Sequence, residues 1–317
     1  MPELSNQSHR LLMQLFGLGS MQDLPAMSDH VRELVGVISN PRATAADLTN
    51  VILKDYALTT KVLQIVNSAY YMRNEPITSI TRAVTIIGLT ALKNLALGIA
   101  LLEEFRRQGR ETDKILRLMT MSFLSATQGN LLTQQKNYPV QPEDAFICTL
   151  LHHLGRMVIL VYLPELYGNF ERILDSGHSE ERAARMACHG LSFTDIGREI
   201  ARYWNFSEII IRCMEANPPP PRDQADIETL LQNIAAFNNQ LTETLLVGTD
   251  LDLEELIYRY GNVLSVTKNE ARTLVHRSVE RAALLSEPIR QGLHKLAMRE
   301  RLIALVRDDN ADWRPGT

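Results

Sequence analysis

The chain has little of what several protein classes require. Cysteine is scarce: Cys148, Cys188 and Cys213 form no CxxC pair and are odd in number, which excludes a disulfide framework and gives no structural zinc pattern. They read as three reduced, half-buried thiols. There is no basic surplus either, since 33 Lys and Arg stand against 37 Asp and Glu. A nucleic-acid partner is therefore disfavoured, because such binding needs cations to displace the counterions of the phosphate backbone. Aromatic residues are only 6% of the 317 positions, and no strand-like alternation is found. A β-rich sandwich is excluded on that ground. Long apolar runs are missing as well, the stretch from Leu95 to Leu102 being far short of a membrane span. The N-terminus, with Glu3, Ser5, Asn6 and Gln7, lacks the basic-then-apolar layout of a signal peptide, and a cytoplasmic protein is expected.

What is present is helical punctuation. Val31, Leu34, Val35 and Ile38 fall at i, i+3, i+4 and i+7, one stripe of a helix, after a turn at Leu24-Pro25. Thr44 with Asp47 reads as a capping box, Asp55 as the cap of the next helix, and Ser192 with Asp195 and Thr267 with Glu270 as two further boxes. Ser207 heads another short run. Pro76 interrupts the chain, a stripe from Ile80 ends at Gly88, and helices follow from about Thr90 to Phe105 and from Asp113 to about Gln135. Pro142 suits a first turn, and Ala145 to Leu163 reads as a continuous, centrally buried helix closed by Pro164. The run Pro218 to Pro221 forces an extended spacer and is the clearest boundary. Helical patterns beyond it lie near Ile227 to Val247, Leu253 to Tyr260, Thr267 to Leu285 and Pro288 to Val306. The expected organisation is an all-α protein: a lead-in over 1–23, a helical domain over 24–218 and a helical extension over 219–317 packing on it.

Polar residues break the most apolar helix at one place, Leu150-Leu151-His152-His153-Leu154-Gly155-Arg156. Buried polar groups without partners cost about 1–3 kcal/mol each, so something must satisfy these. Two imidazoles and a guanidinium could hold a cation or an anion; alternatively one histidine bonds a backbone carbonyl and the other faces solvent or a neighbouring helix. Asn67, Ser68 and Tyr70 at a helix end could contact a ligand or satisfy main-chain groups there. His189 beside Cys188 is no nucleophile pair, because adjacent helical side chains diverge, and Gly17-Leu18-Gly19 lacks the third glycine of a dinucleotide loop.

In combination, Asn67-Ser68-Ala69-Tyr70, Ile77-Thr78-Ser79 with Ala83 and Gly88, Ala145-Phe146, the segment Leu150 to Arg156, Gly197 and Trp204 resemble the signatures of the HDOD domain over roughly Leu24 to Pro218. That bacterial family is related to the HD metal-dependent phosphohydrolases, including the HD-GYP enzymes that cleave cyclic-di-GMP. The resemblance implies an HD-like helical bundle used in signal transduction, often regulatory and without a demonstrated reaction. HD hydrolases have a His-Asp pair where this chain has His152-His153. Their further ligand positions align with Met121, Phe193 and Asn217-Pro218, none able to hold a hard ion as those ligands do. The expectation is a non-catalytic module with no catalytic residue, metal or cofactor. It binds a signalling partner in trans or a small signal through His152, His153, Arg156, Asn67 and Tyr70. The alternative is a phosphohydrolase on a nucleotide or cyclic dinucleotide with an altered metal site. A third option, nucleic-acid regulation, would need the C-terminal arginines in one stripe. Should the stripe Leu274, Val275, Ala282, Leu285, Leu293, Leu296 and Leu302 exceed what the core covers, a partner or a second copy of the chain would bind there.

Overall fold

A computed structural model describes residues 6–16, 29–40, 42–67, 77–109, 112–204, 206–223, 225–247, 250–282 and 287–295. The turn expected at Leu24-Pro25, the candidates Ser68 and Tyr70, Gly17-Leu18-Gly19 and the chain beyond residue 295 lie outside them. Among the described residues the regular structure is helical throughout: α1 (Asn6–Phe16), α2 (Asp29–Ser39), α3 (Ala45–Lys54), α4 (Tyr56–Val66), α5 (Ile80–Ile87), α6 (Leu89–Gln108), α7 (Thr112–Lys136), α8 (Pro142–Leu150), α9 (Leu154–Tyr162), α10 (Pro164–Asp175), α11 (Glu180–Ala187), α12 (Phe193–Tyr203), α13 (Glu208–Arg212), α14 (Ile227–Val247), α15 (Asp250–Leu264), α16 (Lys268–Ala282) and α17 (Glu287–Lys295). This is the all-α organisation that the sequence predicts.

The local signals form as read. Thr44 with Asp47 and Ser192 with Asp195 make reciprocal capping boxes, and the Asp55 carboxylate accepts from the Leu58 amide. Thr267 and Glu270 cap α16 in the same way, the Glu270 carboxylate accepting from the Thr267 amide and the Thr267 hydroxyl from the Glu270 amide. Pro142 and Pro164 each occupy the first turn of a helix, where the missing N–H is no loss.

One feature differs from expectation. The segment expected as one helix from Ala145 to Leu163 is two, α8 and α9, joined by a turn at Leu151–His153. The turn is held by tight i to i+3 bonds, from His152 N to the Thr149 carbonyl and from Leu154 N to the Leu151 carbonyl. Apolar periodicity is the same on both sides of such a turn and cannot reveal it. The stretch Pro142–Tyr162 has the length and hydropathy of a membrane span, longer than the run of pure apolar residues suggests, yet it is 83% buried inside the bundle. It is the core, not an outer face.

α14 packs along α7 and α8, and one hydrophobic core runs unbroken from Leu11 through Phe237 to Leu293. Its contact with α7 is polar: the Ser125 hydroxyl bonds Thr242 Oγ1 at 2.8 Å, and the Thr242 hydroxyl faces Gln128 Oε1 at 3.3 Å. Three buried threonines of α7, Thr120, Thr127 and Thr133, satisfy themselves on carbonyls four residues back. Leu274, Val275 and Leu293 of the C-terminal stripe are buried, with α16 and α17 laid against α7.

α9 and α12 approach backbone to backbone. A Cβ on Gly155 would stand 2.0 Å from the Phe193 carbonyl oxygen and 2.6 Å from the Gly197 amide nitrogen. Only glycine fits, and this contact fixes α12 beside the histidine turn.

Candidate functional site

The break between α8 and α9 turns both histidines toward a cavity of about 420 Å³ bounded by α11, the start of α12, the segment after α13, α14 and α15. His152 is buried, and its Nδ1 lies 2.7 Å from the Cys213 carbonyl. Nδ1 must carry the proton, since a carbonyl only accepts. This is the bland alternative that the sequence left open for one histidine. His153 takes the other path. Its Nε2 is buried with no hydrogen-bond partner and stands 3.7 Å from Glu243 Oε1.

Arg156, one turn along α9, is the hub. Its Nη1 lies 3.1 Å from Glu180 Oε1 and 3.2 Å from Glu243 Oε1, its Nε 3.3 Å from the Tyr167 hydroxyl, and its guanidinium 5.5 Å over the Phe170 ring. Burial works against that charge, but Glu180, Tyr167 and Glu243 together hold it above its ordinary value. Burial presses His153 well below the usual imidazole range, with His152 and Arg156 adding to it, so the ring is neutral at neutral pH. Burial lowers His152 too, the Cys213 carbonyl opposing it. Burial and Glu180 push the Glu243 carboxyl up to about 7, with Arg156 pulling the other way.

Of the five residues proposed from sequence, three meet here: His152 and His153 line the cavity and Arg156 braces its wall. Asn67 does not. Its Nδ2 donates to the Ile77 carbonyl and its Oδ1 accepts from the Ile77 amide, both at 2.6 Å, so it pins the ends of the segment 67–77 together. Of the positions aligned with HD ligands, Phe193 and Asn217 reach the cavity, while Met121 is buried outside its lining. Cys188 and His189 form no pair; the His189 carbonyl accepts from the Ser8 hydroxyl. A larger cleft of about 580 Å³ lies beside α1, lined by Tyr162, Pro164 and His189 among others, away from the histidine turn.

Sequence reasoning missed Glu180, Asn239 and Glu243. The last two come from the extension, where α14 carries a largely polar run, Asn238, Asn239, Gln240, Thr242 and Glu243, between Phe237 and Leu245.

The residues do not fit the divalent ion that the HD relationship implies. Glu180 and Glu243 are both turned to a permanent cation, and His152 Nδ1 is taken by a main-chain carbonyl. Among the described residues no three His, Cys, Asp or Glu side chains converge as metal ligands.

A protein of Treponema pallidum with no characterised role is 24% identical over 236 residues, 74% of this chain but 45% of that protein, so the chain spans less than half of its relative. Among solved structures, an HDOD domain protein of unknown function from Geobacter sulfurreducens matches with a TM-score of 0.57 at 19% identity, over 94% of this chain and 97% of that one. A presumptive phosphohydrolase from Shewanella amazonensis matches with a TM-score of 0.60 at 18% identity, over 92% and 98%. A presumptive signal transduction protein from Marinobacter aquaeolei matches with 0.55 at 17%, over 93% and 65%. At these identities the likeness is one of fold. The sequence profile of the HDOD domain covers residues 24–220, well over half of the chain, and with that match the chain belongs to the HDOD family.

Proposed function

We propose that the chain is a non-catalytic signalling module that takes a small ligand or a segment of a partner protein in the cavity beside His152, His153 and Arg156. The observation that carries this reading is the placement of Arg156 Nη1 between Glu180 and Glu243, at 3.1 and 3.2 Å. A fixed cation there already answers the two carboxylates nearest Arg156 and His153, while the cavity beside it, at about 420 Å³, is within the roughly 300–1,000 Å³ of small-molecule sites. The names of relatives that refer to signal transduction lend further support. Partners are reached in trans, in the cytoplasm, and a second copy of the chain is among the candidates.

The rival reading is metal-dependent hydrolysis. Turnover of nucleotide phosphodiesters, including cyclic dinucleotides, is measured with Mn, Fe or Mg added to the purified protein. No turnover is expected. Hydrolysis that disappears in His153→Ala would restore the enzyme. In parallel, partners captured from the native cell are compared between wild type and Arg156→Ala; loss of a partner is expected, and an unchanged set would remove the cavity from partner recognition.

A further inference from the structure

The class of ligand follows from which hydrogen-bonding groups around the cavity are already engaged. Asn239, on α14, lines the cavity and is 2% exposed. Both protons of its Nδ2 are taken, by the Thr149 carbonyl at 3.1 Å and the Ala235 carbonyl at 2.9 Å. These bonds settle the amide orientation, because a flipped amide would set its oxygen against two oxygens. Its Oδ1 is buried and has no partner. A deeply buried acceptor left bare on a residue that lines a cavity is costly unless something entering that cavity donates to it. His152 offers a second acceptor. With the Nδ1 proton given to Cys213, the lone pair of its neutral ring is on Nε2.

The cations around the same cavity are in the opposite condition. Arg185 faces Asp195 at 3.1 Å and Glu181 at 3.3 Å, Arg198 faces Glu215 at 3.0 Å, and Arg259 donates to the Asn217 side-chain oxygen at 3.0 Å. None of the three guanidinium groups in the lining is without a partner, and five carboxyl side chains share that lining with them. A phosphate entering here would have to break an existing pair and would meet a surplus of negative charge. A donor-rich cation meets acceptors that nothing in the chain has used.

We propose that the cavity binds a small organic cation, an amine or a guanidinium compound, with Asn239 Oδ1 and His152 Nε2 accepting from it, in a lining where five carboxyl side chains outnumber three guanidinium groups. This rests on the reading of the cavity as a ligand site and adds the ligand's chemistry to it.

The test is titration calorimetry on the full chain with agmatine, putrescine, spermidine and arginine, against inorganic phosphate and adenosine monophosphate as the anionic arm. At least one cation is expected to bind saturably at one site. Asn239→Leu is expected to weaken it tenfold or more, with the folded state checked by its thermal transition. Arg259→Glu, at an exposed position on α15, with its folded state checked in the same way, is expected to tighten it several-fold by adding negative charge to the rim. Binding that ignores both substitutions overturns the proposal. Binding of phosphate or the nucleotide in place of the cations overturns the cation class and leaves the ligand-site reading standing. No binding by any of the six overturns the proposal, and the partner comparison with Arg156→Ala then judges the broader reading separately.

Discussion

Asn67 and Asn239 carry the same side chain and do opposite things. At the corner after α4, Asn67 uses both ends of its amide, donating to and accepting from the Ile77 backbone at 2.6 Å. In the cavity, Asn239 uses only its donor end and leaves a buried oxygen bare. Asn67 is fully accounted for by bonds within the chain, whereas Asn239 keeps an acceptor that the chain leaves unanswered. His152 combines the two conditions in one ring, with Nδ1 anchored to the Cys213 carbonyl and the lone pair of Nε2 left over.

The strongest way to break the cavity side of this comparison is Gly155→Ala. The added Cβ would fall 2.0 Å from a backbone oxygen that cannot swing away, at a cost of about 3 kcal/mol or more. Urea unfolding should show the loss, and hydrogen exchange should place it in α9 and α12 while α4 and α5 stay protected.

Next is Arg156→Ala, which leaves Glu180 and Glu243 facing each other without their cation. Breaking a largely buried pair in this way should cost about 2–3 kcal/mol at pH 8. The cost should shrink at pH 6, because Glu243, already pushed up to about 7, then takes up a proton. An equal loss at both values would show that the Glu243 charge is not what Arg156 answers.

Asn67→Ala sharpens the contrast directly. It should cost about 1–2 kcal/mol for the two lost bonds and leave ligand affinity at the cavity unchanged, the reverse of Asn239→Leu. A change in affinity would mean the corner and the cavity are coupled.

The smallest effect is Glu243→Gln. The folded state holds a proton on Glu243 that the unfolded chain has released above its ordinary 4.5, so this group's contribution to stability falls as pH rises from about 5 to 7. The histidines act in the other direction, because burial keeps His152 and His153 neutral while the unfolded chain protonates near 6.5, and their contribution is lost as pH falls. The informative quantity is therefore the difference between wild-type and Glu243→Gln stability curves. It should slope across this window, and a flat difference would show Glu243 ionised throughout.

How much of this was legible in the sequence depended on the range of the interaction. The capping boxes at Thr44, Ser192 and Thr267 are closed by residues three positions apart, so the chain announces them. The histidine turn was found as a polar interruption, but its bend was not, because apolar residues on both sides of Leu151 to His153 are equally buried. The proline run reads as a boundary because prolines forbid helix. It says nothing about whether the next helix packs elsewhere or, as α14 does, against α7 and α8.

The sequence by itself determined the helical class, the helix caps and the turn segment that carries the histidines and Arg156, since each depends on side chains a few residues apart and on backbone geometry. Tertiary structure alone decided that Glu180 and Glu243, 63 positions apart, would clasp Arg156, that Asn239 would keep a bare oxygen at the wall, and that Asn67 would be a clamp. Those outcomes depend on which hydrogen bonds remain after helices distant in the chain have packed, and no local pattern encodes what is left over.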